Sequence, residues 1–400
     1  MSATVDGLDE LDDLEVPTTD EGRDALRSFV LERKVIVVVG SGGVGKTTSA
    51  AALAVFGASV GRRSLVITID PARRLANALG LEGLSHEPQR VDDTVMRAAG
   101  LPAKAPLHAM MLDVKAAWDD MLRRTAPDVA TVDEIRANRF YEVLSRELPG
   151  AHEFIACECL QHLTSSGRFD LIVLDTPPTQ NALDFLDAPE RILGVLDNDA
   201  FRYFAQKSQS LGLRFLDGAA GRAQSVLARF TGPEILEEMG DFVVLLRDLY
   251  DPLMVRARDF VALLEGRDTR FVIVTSPQPS ALSEARFFLA ELTSRGLPLG
   301  ALVVNRITSR PKRALAVLGN DAWEEELSDL PEPQQASLAA VLDTAVRQQA
   351  QLSETDDNSV ATLLGENHGV AVVRVPRLSE AVHDARRLGE LVPWLVGPAR

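Results

Sequence analysis

A glycine-rich segment from Gly40 to Thr47 carries the residues best suited to phosphate chemistry in this chain. It fits the pattern G-x-x-x-x-G-K-[ST] and lies between an apolar run and a helix-forming stretch. Backbone N–H groups of such a loop can surround a phosphate, and the following helix adds the positive end of its dipole. Lys46 would reach the terminal phosphates and Thr47 would hold Mg²⁺. The segment therefore predicts a site for a nucleoside triphosphate and its magnesium.

Every residue of this loop is a candidate for contact with the phosphates. The glycines allow backbone angles and a close approach that a side chain would prevent. A glycine-rich turn before a helix is the alternative, but the complete pattern in its strand-loop-helix context favours the phosphate site. The candidate residues are Gly40, Ser41, Gly42, Gly43, Val44, Gly45, Lys46, Thr47 and Thr48.

Two aspartates that follow apolar runs could complete the chemistry. Asp70 follows Ser64–Ile69, and Asp175 follows Phe169–Leu174. Transfer of a phosphoryl group to water needs a metal ion and a positioned water molecule. We expect Asp175 to hold Mg²⁺ through a water and Asp70 to orient the attacking water, so that Asp70 and Lys46 are the catalytic candidates. Alternatively, each aspartate caps a helix after its strand. The phosphate loop nearby favours the catalytic interpretation.

Strand-length apolar runs alternate with helical segments along the chain. This order predicts an α/β fold with a doubly wound, mostly parallel sheet. Ligands of such sheets bind beyond the carboxyl ends of the strands. Gly40, Asp70, Asp175 and Asn305 follow such ends, so we expect them to converge. The runs are Val35–Val39, Ser64–Ile69, Leu107–Leu112, Phe169–Leu174, Arg270–Thr275, Ala301–Val304 and Val370–Val375.

The chain divides into three predicted parts. Residues 1–28 form an acidic tail, residues 29–400 form one domain with the phosphate loop, and residues 179–265 form a helical subdomain inserted in it. Apolar residues recur at helical spacing in the second half of the subdomain. Asp251-Pro252 is expected to kink or split that helix.

Charge and composition exclude several classes of partner. The net charge of −16 over 400 residues argues against nucleic acid and against an anionic membrane surface. No run reaches the roughly 18 apolar residues of a spanning helix, so we expect no stable membrane insertion. The chain has two cysteines and begins without a basic, apolar leader. These features favour a cytoplasmic protein.

Six segments, in this order, resemble the arsenite-pump and tail-anchored-protein-targeting ATPases, especially their uncharacterised bacterial branch. The resemblance covers roughly residues 34–391. The phosphate loop is shared with many ATPases, whereas DPAxxL and DTPPT make the likeness specific. The segments are GGVGKTT, ITIDPARRLANALGL, LPGAHEF, DLIVLDTPPTQNALDFLDAPERI, VVNR and VRVPRLSEAVHDARRL.

The resemblance implies an ATPase that uses ATP and Mg²⁺ and works as a nucleotide-gated dimer. Asp70 would belong to the first nucleotide switch, and Asp175 would sense the γ-phosphate from the second. Asn305 would read the adenine edge, while the loop containing Pro376 and Leu378 would pack on the base. The helical subdomain would carry a client protein of unknown identity.

Three departures from the family pattern matter. Ser41 stands where the family has a lysine that reaches across the dimer to the partner's phosphates. The zinc-binding C-x-x-C pair is missing, since Cys157 and Cys159 are two positions apart and point about 200° apart on a helix. We therefore expect no zinc and no arsenite site. Methionines are also sparse in the helical subdomain, which weakens the interpretation as a carrier of apolar cargo.

Several interpretations stay open at this point. The chain could be an ATP-binding interaction subunit with weak intrinsic hydrolysis, or a partitioning or positioning ATPase of the same superclass. The absence of a positive charge at Ser41 also leaves three possibilities. A homodimer could hydrolyse ATP slowly, or Arg73 or Arg74 could supply the charge. In the third, which we favour, a lysine-bearing paralogue supplies it in a heterodimer.

Overall fold

The computed structural model describes residues 14–15, 20–70, 74–147, 151–177, 187–188, 191, 233–311, 323, 327–365 and 369–398. Several features singled out in the sequence lie outside this part of the chain. They include most of the acidic tail, Arg73, the end of the DTPPT motif and the first half of the helical subdomain.

Strands and helices alternate through the described residues. The strands are β1 (Leu14–Glu15), β2 (Val35–Gly40), β3 (Ser64–Thr68), β4 (Gln89–Arg90), β5 (Leu107–Met111), β6 (Leu171–Asp175), β7 (Thr269–Thr275), β8 (Leu299–Ile307), β9 (Arg310–Pro311) and β10 (Ala371–Pro376). The helices are α1 (Asp20–Glu32), α2 (Lys46–Ser59), α3 (Arg74–Ala78), α4 (Asp93–Ala98), α5 (Val114–Thr125), α6 (Val129–Ala137), α7 (Arg139–Glu147), α8 (Ala151–Ser165), α9 (Pro233–Glu265), α10 (Pro279–Ser294), α11 (Glu332–Leu364) and α12 (Ala385–Val396).

Eight of these strands form one sheet in the order β10-β8-β7-β2-β6-β3-β5-β4. Neighbouring strands are parallel except at the β5–β4 edge, where the pair is antiparallel. Every residue of β2 is buried, as expected for a β-branched run in a sheet covered on both faces. The prediction of a mostly parallel α/β sheet is confirmed.

Helices cover both faces of the sheet. On one face, α2 is buried along nearly its whole length, and it packs with α1 and α12 around Leu53, Phe56 and Leu388. On the other face, α5, α8, α9 and α10 pack around Trp118 and Phe260. The small alanine side chains of α2 let it lie close to the strands, which places its first residue, Lys46, directly after the loop.

The long helix α9 is continuous through Pro252, so the split, one of the two outcomes predicted at this proline, does not occur. A proline removes one backbone hydrogen bond and crowds the carbonyl four residues earlier. Leu249 and Leu253 flank it and are buried, as are Ala257 and Phe260 further along the helix. Packing of this stripe on α8 and β7 holds the helix together where local sequence rules predict a break.

A buried ion pair ties α9 to the body of the domain. Glu158 on α8 is 2% exposed and accepts hydrogen bonds from Arg124 on α5, at 2.7 Å, and from Arg256 on α9. A buried carboxylate needs such partners to offset the loss of water. These contacts fix the described half of the predicted helical subdomain against α8.

Strand β8 is longer than predicted, which corrects the placement of Asn305. We predicted that Asn305 follows a strand of residues 301–304, but β8 continues to Ile307. The next residue, Arg306, has a φ of 63°, in the left-handed region that non-glycine residues rarely adopt. The backbone of β8 is therefore irregular at Arg306, directly after Asn305.

At the start of the sheet, Asp170 joins the segments that lead into β3 and β6. Its carboxylate accepts hydrogen bonds from the backbone N, Nε and Nη2 of Arg63 at 2.9, 3.0 and 2.7 Å. The hydrogen bond from the Arg63 side chain is the main cause that lowers the pKa of Asp170 to about 2. These bonds stabilise the folded state only while Asp170 is ionised.

We predict that Asp170→Asn lowers the free energy of unfolding at pH 7 by about 0.5–1 kcal/mol, because both side chains are partly exposed and solvent screens the pair. The pKa is lowered on folding, so this stabilisation is present above the unfolded value and is lost as the pH falls toward 2. Urea unfolding should show a smaller difference in stability between wild type and Asp170→Asn at pH 3 than at pH 7. Asp268→Asn is the control, since Asp268 lies 4.0 Å from its exposed partner Lys34. Equal stability of Asp170→Asn and wild type at pH 7 would contradict the prediction.

Candidate functional site

A cavity of about 730 Å³ opens at the carboxyl ends of the central strands. It contains nine of the residues singled out in the sequence, which the fold brings together from four separate segments. They are Gly43, Gly45, Lys46, Thr47, Thr48, Asp70, Asn305, Pro376 and Leu378. The expected convergence at the strand ends is what the structure shows for these residues.

The other predicted residues of the loop support it from outside the cavity lining. A Cβ atom at Gly40 would lie 2.0 Å from the carbonyl oxygen of Val274, and its φ is 147°. Glycine is therefore required at the point where β2 enters the loop. Ser41 and Val44 are buried, whereas Gly42 is exposed.

Lys46 is held across the loop. Its side chain is 7% exposed, and Nζ donates a hydrogen bond to the carbonyl oxygen of Ser41 at 2.8 Å. Burial lowers the pKa of Lys46, and the nearby carboxylates of Asp175 and Asp70 oppose that shift. The ammonium group thus lies in a poorly hydrated position where an anion gains most from its charge.

Asp175 lies beneath the loop and connects three elements. Its Oδ2 accepts hydrogen bonds from Thr47 Oγ1 at 2.7 Å and from Thr68 Oγ1 at 2.9 Å. Its Oδ1 is buried and has no hydrogen-bond partner among the described residues. Burial is the main cause that raises the pKa of Asp175 to about 6.

This arrangement fits a magnesium ion. Magnesium in nucleotide sites takes few protein oxygens together with waters and phosphate oxygens. Thr47 supplies a hydroxyl oxygen beside the loop, and Oδ1 of Asp175 has an acceptor position to offer a coordinated water. The residues present therefore suit the predicted metal.

Asp70 is half-buried and belongs to the wall of the same cavity. Its backbone N–H donates to Thr68 Oγ1 at 3.2 Å, so Thr68 links Asp70 to Asp175. Thr68 was not among the predicted residues. Its signal in the sequence is a polar side chain at the end of a mostly apolar strand, two residues before Asp70.

The amide of Asn305 is in contact with the loop. Nδ2 donates to the carbonyl oxygen of Val44 at 2.8 Å, and Oδ1 accepts from the backbone N–H of Arg306 at 2.9 Å. The amide group retains one further hydrogen and one further lone pair. Arg377, between Pro376 and Leu378, also closes this side, since its N–H donates to the Ile307 carbonyl oxygen at 2.9 Å.

Several further side chains of the cavity were not in the predicted set. Gln278 follows β7, a strand whose end carries no predicted site residue, and Thr176 follows Asp175. Arg74 was considered only as a substitute charge, and it also lines the cavity. The others include Asn77, Arg306, Arg377, Ser379, Glu380, Ala381, Val382, His383 and Leu391.

The charge of the cavity is opposite to that of the whole chain. Among the described residues that line it, Lys46 and three arginines outnumber the carboxylates of Asp70 and Glu380. Glu380 also forms an ion pair with Arg387, at 2.6 Å. A cavity with excess positive charge in a chain of net charge −16 is suited to a polyphosphate.

The two cysteines lie away from this cavity, on α8. Cys157 is buried, and burial raises the pKa of the Cys159 thiol to about 12. Within the described residues, no group of three or more His, Cys, Asp or Glu side chains is placed to hold a metal ion. In the same part of the chain, no helix is both long enough and apolar enough to cross a membrane.

Comparison with known proteins agrees with this site. The family model described as anion-transporting ATPase matches residues 33–316. The ATPase GET3 of Chaetomium globosum is 28% identical over 309 residues, covering 77% of this chain and 81% of that protein. The ATPase GET3 of Malassezia globosa is 24% identical over 390 residues, covering 95% and 97%. The ATPase ARSA1 of Chlamydomonas reinhardtii is 26% identical over 301 residues, covering 69% and 35%.

These relatives are eukaryotic and give no support to the expected bacterial branch. The match of the family model extends over more than half of the chain and includes the phosphate loop, both aspartates and Asn305. This chain is therefore an ATPase that belongs to the anion-transporting ATPase family.

Proposed function

We propose that this ATPase binds Mg-ATP in the 730 Å³ cavity and works as a nucleotide-gated dimer that opens and closes a client surface on the helical subdomain, residues 179–265. One observation carries the nucleotide part of the proposal. Three separate segments, which carry Lys46 with Thr47, Asp70, and Asn305, meet in one positively charged cavity, with Asp175 directly beneath.

The chemistry divides among these residues. Bound magnesium would neutralise phosphate charge, and Thr47 and Asp175 are the residues that would hold it, Asp175 through a water. Lys46 would neutralise the terminal phosphates from a desolvated position. Asp70 would accept a hydrogen bond from the attacking water and fix its direction. The backbone N–H groups of the loop would bind the remaining phosphate oxygens.

The base would bind beside Asn305. Its remaining donor and acceptor suit the adenine edge, and Pro376 and Leu378 supply apolar surface next to it. The contact of Asn305 with Val44 also joins the base-reading residue to the phosphate loop. Recognition of adenine and the shape of the loop would therefore depend on the same side chain.

We propose two alternative assemblies of this chain. The first is a homodimer, and the second is a heterodimer with a lysine-bearing paralogue that would compensate for Ser41. The resemblance to dimeric family members supports both. We also propose a cytoplasmic location, an unidentified client protein, and no partnership with nucleic acid, zinc or a membrane. An interaction subunit with weak hydrolysis is the second candidate function, favoured by the serine at position 41.

We predict that Lys46→Ala and Asp70→Asn separate binding from catalysis. Lys46→Ala should lose measurable affinity for ATP, because the buried site loses the charge that offsets the phosphates. Asp70→Asn should bind ATP almost normally and turn it over about 10²–10⁴-fold more slowly, the usual scale for a lost positioning or proton-accepting group. Titration calorimetry and phosphate release measure the two effects. Normal ATP affinity in Lys46→Ala would refute the proposed site.

Asn305 should determine the preference for adenine. We predict that ATP binds more tightly than GTP and that Asn305→Ala reduces this preference by about tenfold, the scale of one lost hydrogen bond. The variant should also bind both nucleotides more weakly, because the Val44 carbonyl loses its donor. Asn358→Ala, an exposed asparagine on α11, is the control. Equal affinities of the wild type for ATP and GTP would contradict adenine recognition.

The dimer should depend on bound nucleotide. We predict that Asp70→Asn with Mg-ATP has twice the monomer mass of 43.4 kDa by light scattering, because slow turnover keeps the closed state occupied. The same protein with ADP should dissociate more readily on dilution. A monomer in both nucleotide states at micromolar concentration would count against the gated homodimer.

A further inference from the structure

Ser41 leaves the phosphate loop with one cation. From Gly40 to Thr48, Lys46 is the single basic residue. Ser41 is 6% exposed, its Oγ has no hydrogen-bond partner among the described residues, and its carbonyl oxygen accepts from Lys46. When the terminal phosphoryl group leaves, negative charge builds up on the departing oxygen, and an additional cation there accelerates the reaction. Ser41 cannot supply that charge.

Arg74 is a cation on the same wall of the cavity. It is the first residue of α3, four positions after Asp70, and it lines the cavity together with Lys46 and Thr47. Its side chain is exposed, and no ion pair joins it to a residue in the described part of the chain. A guanidinium group carries five N–H donors, and none of those of Arg74 forms a hydrogen bond to another residue that the structure describes.

The backbone beneath Arg74 is anchored. Leu75, the next residue, and Leu79, just beyond the end of α3, are fully buried in the same core cluster as the alanines of α2. Helix α3 packs on α2, the helix that begins at Lys46. The position of Arg74 relative to the loop is therefore set by the core, while its side chain remains in the cavity.

The two cations influence each other. Burial is the main cause that lowers the pKa of Lys46, and the positive charge of Arg74 acts in the same direction. Two like charges that line one cavity repel each other, and an anion bound between them would offset that repulsion. The other cavity arginines, Arg306 and Arg377, belong to the strand ends beside Asn305.

We propose that Arg74 is a catalytic residue that contacts the terminal phosphates of ATP bound in its own chain and supplies in cis the charge that Ser41 lacks. This rests on the proposed nucleotide site. Water forms a bond to the γ-phosphorus while the bond to the bridging oxygen breaks, and that electron pair stays on the β-phosphate of ADP. The proton of the water passes to the phosphate product. Arg74 remains protonated and donates hydrogen bonds to the oxygens that gain charge.

The first experiment measures single-turnover hydrolysis by the full-length chain. Arg74→Ala should lower the rate about 10²-fold or more, the scale of a lost transition-state donor, while affinity for ADP changes less than about threefold. ADP with aluminium fluoride should be trapped by the wild type and not by Arg74→Ala. Arg74→Lys should be intermediate, since lysine keeps the charge without the paired donors. Arg97→Ala, an exposed arginine on α4, should behave as wild type.

The second experiment separates action in cis from action in trans. Arg74→Ala protein is mixed, in saturating Mg-ATP, with an excess of Asp70→Asn protein, which retains Arg74 and binds ATP but turns it over slowly. No gain in rate is expected if each Arg74 serves its own chain. A gain on mixing, or a normal rate in Arg74→Ala alone, would overturn the proposal. Normal ATP affinity in Lys46→Ala would instead refute the nucleotide site itself, so the two failures are distinguishable.

Discussion

The buried carboxylate of Asp175 is the contact on which the site depends. It is 1% exposed, and its Oδ2 accepts hydrogen bonds from Thr47 at the start of α2 and from Thr68 at the end of β3. Burying a carboxylate is unfavourable unless hydrogen-bond donors surround it. The two donors come from α2 and β3, so pairing them with Asp175 on β6 holds these three elements in one arrangement. The parallel pairing of β6 with β2 and β3 brings these ends level. These hydrogen bonds therefore position the phosphate loop, Asp70 and the remaining acceptor oxygen of Asp175.

Much of the fold could be predicted because local and tertiary preferences agree there. The β-branched run before Gly40 is buried as the centre of a parallel sheet, as such a run predicts. The prediction and the structure disagree where tertiary packing overrides a preference of the local sequence. A kink or a split is predicted at Pro252, yet α9 does not split there, and buried leucines lie on either side of this proline. Asn305 lies inside β8 because that strand still pairs with β10 at Ile307, beyond the apolar run that marks it in the sequence.

Side chains of the site were predictable only where their position along the chain determines their direction. Asp175 ends β6, Asp70 lies two residues beyond β3, and Lys46 begins the helix that follows β2 and its loop. Their convergence therefore follows from the parallel sheet. Gln278 and Arg377 enter the cavity because of how the chain turns after β7 and β10, which no sequence pattern specifies. The hydrogen bond from Asn305 to Val44 likewise joins residues 261 positions apart. Such contacts depend on the completed packing.

The position of the positive charges in the cavity affects the role that the proposed dimer would have. In a chain of net charge −16, basic side chains gather at one cavity, and Arg74 stands on its wall beside an uncharged Ser41. If the charge needed for hydrolysis comes from the partner chain, hydrolysis and association are inseparable. With that charge supplied in cis, each chain can complete its own reaction. In the proposed dimer, association would then be free to respond to nucleotide state through other surfaces. Helix α9, tied to α8 by the contact between Arg256 and Glu158, is the described part of the proposed helical subdomain.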